Sequence, residues 1–339
     1  MRSFGSDNNS GIHPDIIKAI IEANDNHALA YGEDPWTREA QEKIKEAFGE
    51  QAEGFFVFNG TGANVIALRA CTQNFNSIIS ASTAHIAVDE CGAPSFMTGA
   101  ALKEIPTPDG KLTPELISTQ LYNWGFEHHS QPKVVYISQC TELGTIYQPE
   151  EIRRIADYIH QYDMYLHLDG ARLANAAAAL GLSLKQITAD CGVDILSFGG
   201  TKNGLMMAES VITLNPDLAV NLKYLRKQSA QLYSKMRYIS AQFTTYLTDD
   251  LWLKNATQAN LMAQMLRKGI ESLGKYEFAQ KTEANILIVK IPKTIYLQLQ
   301  EKYFFYVWNE FNDEVRFVTS WDTTTEDVNG LLQALREIS

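Results

Sequence analysis

The chain is poor in cysteine. The four it has, Cys71, Cys91, Cys140 and Cys191, stand far apart, with no C-x-x-C pair and no histidine cluster beside them. That spacing suggests neither a zinc site nor a disulfide framework; the ordinary reading is buried free thiols in a reducing compartment. Long apolar runs are missing too. No segment approaches the ~20 consecutive apolar residues of a membrane span, and Met1–Asn9 lacks the apolar core of a signal peptide. A cytoplasmic protein without a membrane partner is therefore expected. Positive charge is in deficit, with Lys plus Arg at 29 against 40 for Asp plus Glu, a net charge of −11. An acidic surface with no basic run argues against nucleic acid as a partner, and any anionic ligand must meet its positive contacts locally. A dinucleotide fingerprint is absent as well: Asn59-Gly60-Thr61-Gly62-Ala63-Asn64 does not match G-x-G-x-x-G.

What is present is alternation. Short apolar runs at Gly54–Phe58, Ser77–Ser80, Ala101–Ile105, Lys133–Ser138, Met164–Asp169 and Asp194–Gly199 read as buried strands. Between them lie stretches of helical period at Thr37–Phe48, Gly62–Cys71, Thr113–Tyr122, Pro149–Tyr162 and Arg172–Leu180. Thr37 stands where an N-cap belongs and Gly49 where a helix stops; Pro149 suits a first turn, where its missing N–H costs nothing. Strands alternating with helices predict a mostly parallel sheet covered on both faces. From about residue 215 the pattern changes to long helical stretches, 215–245 and 250–273, then strand-like Ile286–Lys290 and Val315–Thr319 and a last helix over Glu326–Ile338. The reading is a large α/β domain over residues 1–240 followed by a smaller α+β domain over 241–339.

In an open parallel sheet, ligands sit beyond the carboxyl ends of the strands. The residues found there are Gly60-Thr61-Gly62 opening a helix, Ala81–His85, Asp169 followed by Arg172, and Gly200–Gly204 with Lys202 in its middle. Each has a bland explanation alone: a turn, a cap, a solvated lysine. Together they supply what pyridoxal 5′-phosphate (PLP) needs, which is a phosphate cup at a helix amino end, a stacking ring, a carboxylate for the pyridine nitrogen and a Schiff-base lysine.

The ordered set carries a resemblance. Ser6-Asp7, YGEDP at Tyr31–Pro35, GTGAN, AHIAVDE, HLDGAR at His167–Arg172, GTKNG and Arg316 in EVRFVT are similar to the threonine aldolase branch of the β-eliminating lyase family. The resemblance covers nearly the whole chain. It implies a PLP-dependent transferase-like fold (fold type I), with a mostly parallel seven-stranded sheet in the large domain. It implies that Gly60 and Thr61 hold the phosphate, that His85 stacks on the ring, that Asp169 pairs with its nitrogen and that Lys202 binds it covalently. Arg172 would contact the cofactor oxygen or the substrate carboxylate, and Arg316 and Ser6 would fix that carboxylate, a task suited to a guanidinium fork. Tyr31, beside the substrate, would lie at a subunit boundary of a homodimer or homotetramer. His129, with His128 as the other register, would match a histidine near the substrate hydroxyl. The basic residue reaching the phosphate would be Lys227, with Arg226 and Arg237 as alternatives.

The implied reaction splits a β-hydroxy-α-amino acid such as L-threonine, L-allo-threonine or a phenylserine into glycine and an aldehyde, with His85, His129 or a water held by them as base. Another PLP-dependent β-eliminating lyase or an aminotransferase is the nearest alternative, and a binding protein with a decayed pocket a more distant one. No metal-ligand spacing appears. Departures from the family pattern fall at Gln139-Cys140-Thr141-Glu142, at Thr201-Lys202-Asn203, at Met206–Ser210 and at Ser234–Tyr238.

Overall fold

The computed structural model describes residues 2–338. Its strands are β1 (Glu53–Val57), β2 (Asn76–Ala81), β3 (Ala101–Ile105), β4 (Gln131–Ser138), β5 (Tyr165–Gly170), β6 (Ile195–Gly199), β7 (Glu209–Thr213), β8 (Glu277–Phe278), β9 (Ile286–Lys290), β10 (Tyr306–Asn309) and β11 (Glu314–Val318). Up to β5 the helices are α1 (Pro14–Glu22), α2 (Pro35–Phe48), α3 (Gly60–Cys71), α4 (His85–Val88), α5 (Ala93–Thr98), α6 (Pro114–Ser118) and α7 (Pro149–His160). After it come α8 (Leu173–Leu180), α9 (Leu222–Gln228), α10 (Arg237–Leu247), α11 (Leu251–Leu273), α12 (Lys293–Gln300) and α13 (Thr325–Ile338).

A seven-stranded sheet has the order β1-β7-β6-β5-β4-β2-β3, and every pair is parallel except those made by β7. The expected mostly parallel sheet is thus present, in an α/β architecture. One of its faces packs Phe56, Leu196, Phe198 and Ile212 against α2 and α10; the other packs Phe55, Val57, Ile195 and Val211 against α3. Burial on both faces is why these strands read as continuous apolar runs rather than as alternation. A second sheet, β10-β11-β9-β8, is antiparallel throughout and rests on α11, α12 and α13.

Several boundaries differ from the sequence reading. Helix α2 begins at Pro35 with Asp34 as its N-cap, whose Oδ1 accepts the Thr37 N–H at 2.8 Å; Thr37 is an inner residue of the first turn, donating its hydroxyl to the same carboxylate. A proline at N1 sets the cap at the residue before it, three places upstream of Thr37. The stretch 113–122 is helical only over Pro114–Ser118, and 215–245 is broken into α9 and α10 by a non-helical segment. The line drawn at 240/241 falls inside α10, which packs on α1 and α2 with Ser240 meeting Thr37 at 2.8 Å. The amino terminus crosses over as well. Phe4 lies in the core of the second sheet, its N–H donating to Phe304 O and its carbonyl accepting from Val318 N–H, both at 2.8 Å. The residues just after it return to the large sheet, so Ser6 and Asp7 are delivered between the two.

Candidate active site

Lys202 sits in a single turn, Thr201–Asn203, between β6 and β7. Asn203 holds that turn. Its amide donates to Tyr246 Oη at 2.7 Å and to Trp252 O at 2.9 Å, while Asn255 donates to its carbonyl. The asparagine that departs from the family pattern is therefore a buried anchor. Glu209, at the start of β7, accepts the Thr201 N–H at 3.2 Å and lies over Gly199, where a side chain would collide with it and with Ala171. Burial raises the Glu209 carboxyl to about 7, against the opposing pull of the Lys202 charge.

Asp169 is the penultimate residue of β5, beside Ser138 of β4 and Ser197 of β6. One oxygen accepts from Tyr136 Oη and from Asn64 Nδ2 at 2.9 Å, the other from the Ala171 N–H at 2.9 Å. Burial alone would raise this carboxyl; the hydrogen bonds from Tyr136 and Asn64 and the charge of Lys202 hold it below the ordinary value. It is thus a fixed anion that needs no water, in a place where charge acts at short range. His85 opens α4. Its backbone N–H donates to Glu142 Oε1 at 2.8 Å, and its Nδ1 meets Glu90 Oε1 at 2.8 Å. The divergent stretch after β4 has jobs here: Gln139 pairs through its side-chain amide with both backbone groups of Tyr147, and Glu142 caps α4.

Two guanidiniums face the space beyond the sheet. Arg172 donates from Nε and Nη2 to the Asp7 carboxylate at 2.7 and 2.9 Å, and Asn285 donates to the same group at 3.0 Å. Arg316 leaves β11 between the rings of Trp308 and Tyr306, at 5.0 and 5.6 Å, with its Nε buried and unpartnered. Burial and then the nearby Arg172 charge push Arg316 below its usual value. Two mutually repelling cations with an unused buried donor make an anion site. Ser6, Thr83, Asp89, Trp308 and Arg316 line a cleft of about 640 Å³ there.

Asp7 gives a pH prediction. Burial opposes its ionisation, but Arg172 and Lys202 outweigh it and hold its carboxyl below 3.8. A depressed folded-state value contributes stability that is complete above 3.8 and lost as pH falls through the lower value. Asp7→Asn is expected to cost about 3–5 kcal/mol at neutral pH, as when one partner of a buried pair is removed. Unfolding midpoints followed by circular dichroism should then show a smaller further loss on acidification than in the parent.

The pattern of the beta-eliminating lyase family matches residues 3–292. The chain belongs to that family. It is 39% identical over 336 residues to a low specificity L-threonine aldolase of Pseudomonas aeruginosa, covering 99% of this chain and 97% of the relative. A solved structure of Leishmania major threonine aldolase superposes with a TM-score of 0.95 at 31% identity, over all of both chains. A Thermus thermophilus aspartate aminotransferase, at 14% identity and a TM-score of 0.71 over 98% of this chain and 89% of that one, shares the fold, which is fold type I.

Lys202, Asp169, His85, Arg172, Arg316 and Ser6 are brought together around one crevice. Gly60 and Thr61 open α3 as expected, with Asn59 capping the Gly62 N–H at 2.7 Å. The basic residue does not stand there. The hollow at the amino end of α3 is lined by Asn59, Thr61, Gly62, Val65, Met97, Ser229 and Gln231, whereas Lys227 is an exposed residue lying 5.3 Å over the ring of Tyr31. The alternatives are engaged elsewhere: Arg226 lies over Phe55, and Arg237 sits between Trp36 and Tyr238. His129 is also misplaced as a partner of Lys202 in this chain. It stands exposed in the loop before β4, stacked on Phe126, at the amino end of a strand whose carboxyl end carries the site. Eight residues of strand span roughly 23 Å or more. His128 shares that loop. Tyr31 is exposed, with its backbone N–H donating to Ser234 O at 2.8 Å.

Asn64, Glu90, Tyr136, Glu142, Ser197 and Glu209 escaped the sequence reading. Their signal is polarity inside apolar elements: Asn64 on the inner side of α3, Tyr136 and Ser197 within buried strands. A buried polar group is the informative exception.

Proposed function

We propose that the protein is a PLP-dependent aldolase that cleaves a β-hydroxy-α-amino acid (L-threonine, L-allo-threonine or a phenylserine) to glycine and an aldehyde. What supports this most is that Lys202, Asp169 and the Arg172–Arg316 anion site meet at one crevice, in a chain of the β-eliminating lyase family 39% identical to a low specificity L-threonine aldolase. The residues fit the cofactor. There is open space where a side chain would grow from Gly60, backbone N–H groups and the positive end of α3 face it, and Asp169 is a carboxylate held ionised. When bound, the cofactor supplies an electron sink for the pair released at Cα.

The chain's own groups do the rest. Lys202 would be the residue that holds the cofactor covalently and gives way to the substrate amine. Arg316, with the Arg172 Nη1 that Asp7 does not take up and the Ser6 hydroxyl, fixes the substrate carboxylate. That fixation would select which Cα bond is presented for cleavage. His85, through Nε2, takes the β-hydroxyl proton as Cα–Cβ breaks; the aldehyde departs, and Cα is reprotonated to give glycine. Positioned acid–base groups of this kind supply about 10²–10⁴-fold. The phosphate cup lacks a cation among its lining residues, and the Tyr31–Lys227 pair is exposed. A cytoplasmic homodimer or homotetramer, in which a second copy completes the cup, accounts for both.

The test offers L-threonine, L-allo-threonine, phenylserine, serine, and an amino acid with 2-oxoglutarate. Aldehyde and glycine in equal amounts from the first three are expected. Pyruvate from serine, or a new amino acid from the last pair, without aldehyde from any, would replace this reading by β-elimination or transamination.

A further inference from the structure

The Glu90 side chain is completely buried. Its Oε1 receives Asn64 Nδ2 at 2.8 Å and meets His85 Nδ1 at 2.8 Å, and its Oε2 has no partner. A buried carboxylate persists only where hydrogen-bond donors or a cation compensate it.

The direction of each hydrogen bond around it can be worked out. His167 is buried and neutral, its value pushed down to about 4 by burial. Its Nδ1 has no partner and its Nε2 lies 3.0 Å from Ser197 Oγ, so Nε2 carries the proton and donates. Ser197 then donates to Asn64 Oδ1 at 2.8 Å. That fixes the Asn64 amide, whose Nδ2 gives one proton to Glu90 and the other to Asp169, at 2.8 and 2.9 Å. Glu90 and Asp169 are therefore both acceptors on one amide. Since Glu90 Oε1 has only lone pairs to offer, the contact with His85 requires a proton on Nδ1. Nε2 is left as the basic nitrogen.

We infer that Glu90 is a positioning residue that fixes His85 in its Nδ1–H form and stabilises the cation produced when Nε2 accepts a proton, with Asn64 tying this pair to the Asp169 anion. The inference rests on the aldolase reading for what the proton transfer serves. The influences on His85 differ in sign, and those that raise its proton affinity prevail. The hydrogen bond to Glu90 raises its proton affinity, burial opposes, Asp169 on β5 adds to it, and Lys202 beyond β6 subtracts. Glu142, after β4, holds only the backbone N–H.

Glu90→Gln keeps the acceptor oxygen and shape and removes the charge. In this variant the His85 resonance, followed by NMR in the cofactor-free protein, is expected to titrate at lower pH than in the parent. The rising limb of kcat/KM for aldehyde release should move in the same direction, and kcat/KM at neutral pH should fall roughly tenfold or more, since a weaker base transfers protons more slowly. Glu90→Asp, with the charge kept at longer reach, should lie between. In a His85→Phe background, Glu90→Gln should change kcat/KM by less than about twofold. An unmoved His85 titration, or an equal loss in the His85→Phe background, overturns the proposal. If the parent releases no aldehyde from any β-hydroxy amino acid, the aldolase reading fails on its own, and the His85 titration still decides the Glu90–His85 pair.

Discussion

Lys202→Ala is expected to lower aldehyde release by four orders of magnitude or more, about the loss seen when a covalent nucleophile is deleted from other enzymes. The loss should not come from unfolding. The turn around Lys202 is held by Asn203, through Tyr246, Trp252 and Asn255, and by the Thr201 N–H on Glu209. None of these contacts uses the lysine side chain. Removing the cation also takes away one of the influences that oppose burial at Glu209, the hydrogen bonds from Thr201 remaining, so that its carboxyl, already raised to about 7, rises further. Glu209 therefore takes up a proton at neutral pH rather than standing as an uncompensated charge. The measurements are steady-state aldehyde release and borohydride trapping. The parent should become covalently labelled at Lys202, and the variant should take up no label while keeping its thermal midpoint within a few degrees. A variant that cleaves β-hydroxy amino acids at the parent rate would end the proposed scheme.

The central strands of the large sheet were legible because burial on both faces leaves continuous apolar runs, and they agree within two residues; the more exposed edge strand Ala101–Ile105 and Ile286–Lys290 of the second sheet agree end to end. β7 was not, since Glu209-Ser210 at its start breaks the apolar pattern for a reason the fold supplies only afterwards, the proximity of Glu209 to the Lys202 turn. The 215–245 stretch has helical composition throughout, yet tertiary packing breaks it, with Gln231 brought back to accept the Phe58 N–H beside the phosphate cup at 2.9 Å. Site residues at strand ends were visible from position alone. Those that act by holding another side chain, such as Asn64 and Glu90, are visible only when three elements meet. His129 shows the opposite error: its neighbours in sequence fit a family position, while β4 carries it to the wrong end of the sheet for the Lys202 of its own chain.

Asp169→Asn is the second large expected effect, a fall in kcat of about 10²–10³-fold, the usual consequence of losing one preorganised electrostatic group. The substitution is isosteric but not neutral in hydrogen bonding. Both Asp169 oxygens are acceptors, one from Tyr136 and Asn64 and the other from the Ala171 N–H. Tyr136 is pushed well above its ordinary value by burial and by Asp169, so it remains a phenol and keeps donating. An asparagine amide must turn its NH₂ toward one of these donors, which leaves a buried donor unsatisfied and costs about 1–3 kcal/mol of stability. The two losses separate by measurement, since stability is read by unfolding of the cofactor-free protein and the electrostatic part by kcat after saturation with PLP. The pH profile makes a further separation. Asp169 is held below the ordinary aspartate value of 3.8, so it stays ionised throughout the neutral range and cannot produce a limb there. His85, held above its ordinary 6.5 chiefly by the Glu90 hydrogen bond, is the group to which the limb is assigned. The rising limb of the parent should therefore persist at the same pH in Asp169→Asn apart from the small shift expected from losing one neighbouring negative charge, which lowers the proton affinity of His85 and moves the limb slightly acid. A limb that vanished with Asp169 would assign the titration to the wrong side of Asn64.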